Sequence, residues 1–253
     1  MKNSQPPIPN SQKDCLGVGR WVLGVAAIAL WLVAVTTAQS HTTFRVFHRG
    51  ALIGTTSISI TREGDGWHLQ GTGDLKGTIQ VALPQLDIHY DAGWRPRIMT
   101  MELVAQDDRA VVHIAFGLSD GTTRTDVVRP DNATWGSNKV SPDAIPLPDL
   151  VFGAYEALAA RLSSASPGQE LRVFVVPRFE APMSVDGVVD EAVPTSAGPL
   201  AARRWRVTLR RPEGASPLEM WVAGGRMVRL DIPKDGLSVV RDDVVWGTAG
   251  AVQ

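Results

Sequence analysis

A chain of 253 residues with 25 basic and 26 acidic side chains has no charge bias of the kind that draws a protein onto nucleic acid or an anionic membrane surface. Its one cysteine, Cys15, excludes an internal disulfide, and its place near the N-terminus leaves the rest of the chain without a thiolate nucleophile or a cysteine metal site. The length suits a mainly β domain with a core large enough to stand without disulfides.

The run 21–38, WVLGVAAIALWLVAVTTA, carries neither charge nor proline. Lys2, Lys13 and Arg20 precede it against one Asp14, and Gln39-Ser40-His41 follow it. A basic flank, an apolar run and small residues at its end form the pattern of an export signal. Cleavage after Ala38 puts Thr36 and Ala38 at the two positions where the peptidase needs small side chains. A second reading stands beside this one. A run of this length is at the lower end for a spanning helix at about 1.5 Å per residue. Uncleaved, it is an N-terminal membrane anchor with its positive flank in the cytoplasm. In the leading reading 1–38 is removed. Residues 39–253 then form one exported β-rich domain, with 22 basic and 25 acidic residues and a net charge of −3 once Lys2, Lys13, Arg20 and Asp14 are gone. Periplasm or cell envelope is the expected location. The membrane is touched only through the N-terminal segment, if that segment is retained.

Residues 43–128 alternate as strands separated by turns. Phe44 and Val46 oppose Arg45 and Arg49, and Gly50-Ala51 reverses the chain toward Ile58 and Ile60. Glu63-Gly64-Asp65-Gly66 is a turn, and residues 77–90 make a strand bent at Pro84. Met99, Met101 and Leu103 share a face of the next strand, as do Val112, Ile114 and Phe116 of the one after. Prolines at 130, 142, 146 and 148, mixed with Asn, Asp, Ser and Gly, predict a long loop at 129–148. One amphipathic helix is predicted at 149–163, where Val151, Tyr155, Leu158 and Leu162 form a stripe that Asp149 can cap. Strands then resume. Asp186-Gly187 signals a hairpin turn. Trp205, Val207 and Leu209 point inward against Arg204, Arg206, Thr208 and Arg210, and a meander ends the chain. The fold class is therefore mainly β: a curved antiparallel sheet wrapped on one amphipathic helix.

No motif brings a catalytic centre with it. Gly117-Leu118-Ser119-Asp120-Gly121 matches the hydrolase nucleophile elbow, but that elbow needs a helix after the serine and residues 122–128 are strand-like, so a hairpin turn is the simpler reading. The glycines at 71, 73 and 77 lack the following helix that would hold a phosphate, and read as a Gly-rich turn. His41, His48, His68, His89 and His113 show no helical i, i+4 pair and no zinc motif, which favours isolated histidines and no metal. The pairs Asp107-Asp108, Asp190-Glu191 and Asp242-Asp243 point to opposite faces of a strand, so none makes a two-carboxylate site alone. The arginines at 204, 206, 210, 229 and 241 are expected on a solvated outer face.

Gly50-Ala51-Leu52-Ile53-Gly54 forms an early G-x-x-x-G hairpin. Trp221-Val222, Gly224-Gly225, Val228-Arg229, Ile232-Pro233 and Val240-Arg241 mark a C-terminal strand pair. In this pattern the chain resembles a broad set of secreted bacterial β-rich proteins of unknown function, and is loosely similar to the half-barrel lipoprotein-carrier (LolA-like) type. The resemblance carries over no catalytic residue. It implies an envelope protein with a lipid or lipoprotein as partner, and no cofactor. The function expected is non-enzymatic binding of an apolar or amphipathic, lipid-like molecule. Met99, Met101, Phe116, Trp205 and Met220 are the candidate ligand-binding residues, since methionine suits adaptable apolar surfaces. The alternative is an envelope scaffold or assembly partner, using a sheet edge or the 129–148 loop. A hydrolase using Ser119 is the third and weakest reading. N-terminal sequencing of the protein isolated from its envelope is expected to begin at Gln39; retention of Met1 or Lys2 turns the export reading into the anchor reading.

Overall fold

The computed structural model describes residues 40–106 and 108–246. The signal or anchor segment and its cleavage site at Ala38 lie outside the described residues. Within them the chain makes fifteen strands: β1 (Ser40–His48), β2 (Ala51–Glu63), β3 (Gly66–Leu75), β4 (Val81–Tyr90), β5 (Pro96–Ala105), β6 (Asp108–Ala115), β7 (Thr122–Val128), β8 (Ala133–Lys139), β9 (Ile145–Pro146), β10 (Glu170–Val175), β11 (Phe179–Thr195), β12 (Gly198–Arg211), β13 (Gly214–Ala223), β14 (Arg226–Ile232) and β15 (Leu237–Arg241). A 3-10 turn at Phe152–Ala154 leads into the helix α1 (Tyr155–Leu162).

All fifteen strands belong to one sheet in the order β8-β7-β6-β5-β4-β3-β2-β1-β15-β14-β13-β12-β11-β10-β9. Every pairing is antiparallel except β9 with β10. The sheet is curved and unclosed, and its concave side holds α1. Phe116, just after β6, meets Phe174 of β10 edge to face at 6.1 Å, so the two wings of the sheet approach each other around the helix.

Period-2 alternation does most of the work. Phe44 and Val46 of β1, Leu69 of β3, Ile88 of β4, Met99 of β5, Trp205 and Val207 of β12 and Val239 of β15 are fully or almost fully buried on the inner face. A smaller cluster covers part of the convex face. There Phe47, Trp221, Val228 and Val240 lie beneath the tip of the β11–β12 hairpin and the last described residues, with Trp246 stacked on Phe47.

The helix departs from expectation in a way that follows from its surroundings. It begins at Tyr155, later than the stripe suggests, and Asp149 does not cap it but pairs with Arg178 and Arg211. Six of its eight residues are buried, including Glu156, because the sheet curls around it rather than lying beneath one stripe. The 3-10 turn is pressed against the sheet at Gly153. A Cβ there would lie 2.8 Å from Ile58 Cγ2 and 3.0 Å from Leu86 Cδ2. Gly71 of β3 meets the same two side chains from within the sheet, so both glycines serve one close approach.

Three local expectations need correction. The segment 129–148 is not a structureless loop: it contains the edge strand β8 and the short β9, with Ala144, Ile145 and Leu147 buried in the core. Asp186-Gly187 is not a hairpin turn but a bulge inside the continuous strand β11, where the register with β12 slips between Val185 and Gly187. Gly71 and Gly73 lie within β3, and only Gly77 stands in the turn that follows. The Ser119 segment does form a turn, and strand β7 follows it.

Leu158 is fully buried in the middle of α1. Leu158→Ala is expected to lower stability by about 2–5 kcal/mol through the cavity it leaves. Gly153→Ala should lower it by about 1–3 kcal/mol through overpacking against Ile58 and Leu86. Urea unfolding monitored by tryptophan fluorescence measures both, and an unchanged midpoint for Gly153→Ala would refute the close approach.

Candidate functional site

The inner face is filled where the helix lies and opens at both helix ends. Trp205 and Leu209 are four residues apart on β12, and each lines a different opening. The larger cleft, about 590 Å³, lies beside the C-terminal end of α1. Ser163, the β11–β12 segment with Asp190, Glu191 and Arg203, the alanines 192, 201 and 202, Trp205, Val222 and the Gly224-Gly225 turn line it. It is wide and mixed in character, and its charges pair locally, Arg203 with Asp190 at 3.7 Å.

The second cleft, about 330 Å³, sits at the start of the helix. Ile79 reaches it from the β3–β4 connection, Leu150, Phe152 and Tyr155 from the segment entering α1, Leu209 from β12, Leu218 from β13, Ile232 from β14 and Leu237 from β15. Asp149, Arg211, Ser216 and Asp235 complete it. Burial pushes the Tyr155 phenol well above its ordinary range, with the Asp149 charge adding to the effect, so Tyr155 stays neutral. Arg211 pairs with Asp149 at 3.3 Å, while its Nε is buried with no hydrogen-bond partner among the described residues. Leu150 sits at φ 63°, a left-handed conformation that costs a non-glycine residue on the order of 1 kcal/mol and is held only where the surroundings impose it. Most of its lining residues are apolar, while its accessible wall is divided about evenly between polar and apolar atoms, so it can take a molecule with both characters.

The five residues expected to bind ligand are placed differently from one another. Trp205 lines the larger cleft. Met99, Met101 and Met220 are packed in the main core, at most 2% exposed. Phe116 is half-buried against the same core. The structure brings none of the other four to a cleft with Trp205. Sequence reasoning missed Ile79, Leu150 and Ile232 because each stands in a connection or at a strand end, where alternation gives no signal.

A buried polar cluster lies behind the helix. Glu156 of α1 accepts from Arg226 Nε at 2.8 Å and from the Met227 amide at 3.3 Å, and Arg226 also donates to Ser40 Oγ at 2.6 Å. Burial pushes the Glu156 carboxyl above its ordinary value, and the Arg226 guanidinium offsets part of that rise. Tyr90 is buried near it and its phenol is also pushed up, by burial first and by the Glu156 charge second.

The histidines are not all isolated. His68 of β3 and His89 of β4 are direct cross-strand partners on the convex face, with rings stacked at 4.2 Å and 11°. Glu63 and Asp87 stand at opposite edges of this stack. The arginines expected on a solvated face are on the outside but are mostly paired. Arg204 meets Glu191, Arg241 meets Asp243, and Arg229 pairs with Asp231 while lying between the Trp221 and Trp246 rings at 4.3 and 4.6 Å.

No protein-family model matches the chain, and no curated protein matches it. Two solved structures resemble it. A DUF1089-family protein from Pseudomonas aeruginosa aligns at 14% identity and TM-score 0.37, over 71% of this chain and 90% of its own. A candidate exported protein of YmcC-like fold from Bacteroides fragilis aligns at 10% identity and TM-score 0.33, over 83% of this chain and 96% of its own. Both are β-rich, and neither likeness shows the expected similarity to lipoprotein carriers. At these scores the likeness carries no functional argument.

A carboxyl raised by burial makes stability fall as pH rises from its ordinary value of 4.5 through its folded value, since the unfolded chain releases that proton first. Glu156→Gln removes this contribution. Relative to wild type, the variant is expected to gain stability as pH rises above about 4.5. Thermal unfolding from pH 4 to 8 measures the difference, and a constant offset would show that the buried pair does not titrate.

Proposed function

We propose that the domain binds an amphipathic, lipid-like molecule non-enzymatically, with the apolar part in the cleft at the start of α1 and the polar head at Arg211. The observation that carries this reading is the composition of that cleft: eight apolar side chains from six segments of the chain, beside an Arg211 Nε that is buried with no hydrogen-bond partner among the described residues. An acyl chain entering it gains about 0.8 kcal/mol per buried methylene. A polar or anionic head accepting from Arg211 satisfies a donor that otherwise carries a desolvation penalty of about 1–3 kcal/mol. The volume, about 330 Å³, is at the small end for ligand pockets and suits one short chain or the end of a longer one. Among the described residues no helix is long and apolar enough to cross a membrane, and the exported location of the domain rests on the 21–38 run.

A second reading, an envelope scaffold, is favoured by one observation: the edge strand β8 is exposed along the face that carries Trp135, itself 76% exposed. Its free edge and bare indole suit strand addition by a partner.

Titration with a fluorescent fatty acid and a fluorescent phospholipid is the test. Saturable binding at micromolar protein is expected, reduced at least tenfold by Ile79→Glu, which changes a half-buried connection residue at the cleft and leaves the core intact. Native mass spectrometry of protein taken from its own envelope should show a co-purified lipid. Absence of binding in both assays, or binding unchanged by Ile79→Glu, removes the carrier reading and leaves the scaffold.

A further inference from the structure

We propose that the convex face carries a divalent transition-metal site formed by His68 Nδ1, His89 Nδ1 and the Glu63 carboxylate, with Asp87 holding the two imidazoles in place.

Three donor atoms are grouped closely enough to share one ion. Glu63 Oε2 lies 3.0 Å from His89 Nδ1 and 4.0 Å from His68 Nδ1, and all three donor atoms fall within 4.8 Å of one another. Ligands about 2.1 Å from a tetrahedral ion stand about 3.4 Å apart, between these two values. The rings are stacked nearly parallel, so holding one ion through both Nδ1 atoms requires the imidazoles to turn out of the stack, by roughly 50° each for a tetrahedral ion.

Asp87 makes this more than a chance cluster. Its Oδ2 lies 3.0 Å from His68 Nε2 and its Oδ1 lies 3.1 Å from His89 Nε2. His68 Nε2 donates to Asp87 Oδ2, while His89 Nε2 stands beside Asp87 Oδ1 and its Nδ1 is hydrogen-bonded to Glu63 Oε2 at 3.0 Å. This holds hydrogen on His68 Nε2 and leaves its Nδ1 free to bind an ion; at His89 the ion takes the place of the Nδ1 hydrogen shared with Glu63, and the proton moves to Nε2 beside Asp87. Gln70 Nε2 donates to Asp87 Oδ2 at 3.2 Å and holds the carboxylate in turn. The supporting Asp87 side chain is 22% exposed and the ligand His68 20%, against 38% for His89 and 60% for Glu63. The ion's fourth position faces solvent.

Two imidazoles and one carboxylate select borderline ions such as Zn²⁺ and Cu²⁺ over Mg²⁺ and Ca²⁺, which take oxygen ligands. The site is independent of the lipid-binding reading and lies on the opposite face of the sheet.

Zn²⁺ alone is the probe, added to the full chain purified without a histidine tag and carrying Cys15→Ser to remove its one thiol. Competition against a chromophoric chelator should show one equivalent of Zn²⁺ bound, and Zn²⁺ should raise Tm. Mg²⁺ and Ca²⁺ should do neither. Glu63→Gln, at an exposed position, and His89→Gln should each weaken binding at least tenfold. Asp87→Asn should weaken it 10–100-fold, as loss of an outer-shell carboxylate does. His113→Gln, two strands away, should leave it unchanged. If His89→Gln fails to fold, Glu63→Gln decides. No binding by the Cys15→Ser chain, or binding undiminished in Glu63→Gln, overturns the proposal.

Discussion

The pairing of β1 with β15 is the constraint on which the rest of the molecule depends. Five residue pairs, from Phe44 opposite Arg241 to His48 opposite Leu237, join two meanders into one sheet. Without them β1–β8 and β9–β15 would each end in a long exposed edge with apolar side chains on its inner face. With them, the first strand of the domain is its central strand. The cost is topological: residues about two hundred apart in sequence must meet before the core can close. The sheet therefore completes only after its last strand is available.

Curvature around the helix follows from the same closure. A sheet this wide must curl to bury its inner face, and α1 fills the space the curl creates. Gly71 and Gly153 let the helix segment reach Ile58 and Leu86 without a side chain between them. Filling the middle of the curved sheet so tightly confines free volume to the two ends. That explains why Met99, Met101 and Met220, apolar and correctly inward, are core and not cleft, and why the clefts are lined by residues at strand ends and in connections.

Much of this architecture was legible in the sequence. Alternation at Phe44 and Val46, at Met99 and Met101, and at Trp205, Val207 and Leu209 marks inner faces that the structure buries, and the stripe from Val151 to Leu162 marks the helix. The β1–β2 turn was legible to within one residue: the reversal expected at Gly50-Ala51 is made by Arg49 and Gly50, with φ of 50° and 80°, and Ala51 already belongs to β2. What was illegible lies where local signals and tertiary contacts disagree. Prolines at 142, 146 and 148 argue for an open loop, yet this segment supplies Ile145 and Leu147 to the core because it runs along the edge at β10. Asp186-Gly187 argues for a turn, yet a bulge serves the same residues within a strand that must stay continuous to reach the far side of the sheet.

Bulges also decide what the convex face can do. Between Leu75 and Gly73, β3 and β4 pair in the register set by their connecting turn. Past Pro84 the register slips, and from Gly71 onward each β3 residue faces a β4 residue one position later than that turn alone would give. A one-residue slip moves side chains to the opposite face. In the unslipped register His68 would stand opposite Ile88. With the slip His68 meets His89, and Gln70 meets Asp87, so two histidines and the carboxylate that orients them share one side. The same slip keeps Leu69 opposite Ile88 in the core. Pro84, which cannot donate to a ladder and so favours the irregularity, thereby keeps the inner face apolar while assembling a polar constellation outside. Spacing in sequence could not reveal that pair, because its partners are defined by where the strand is interrupted and not by how far apart they lie.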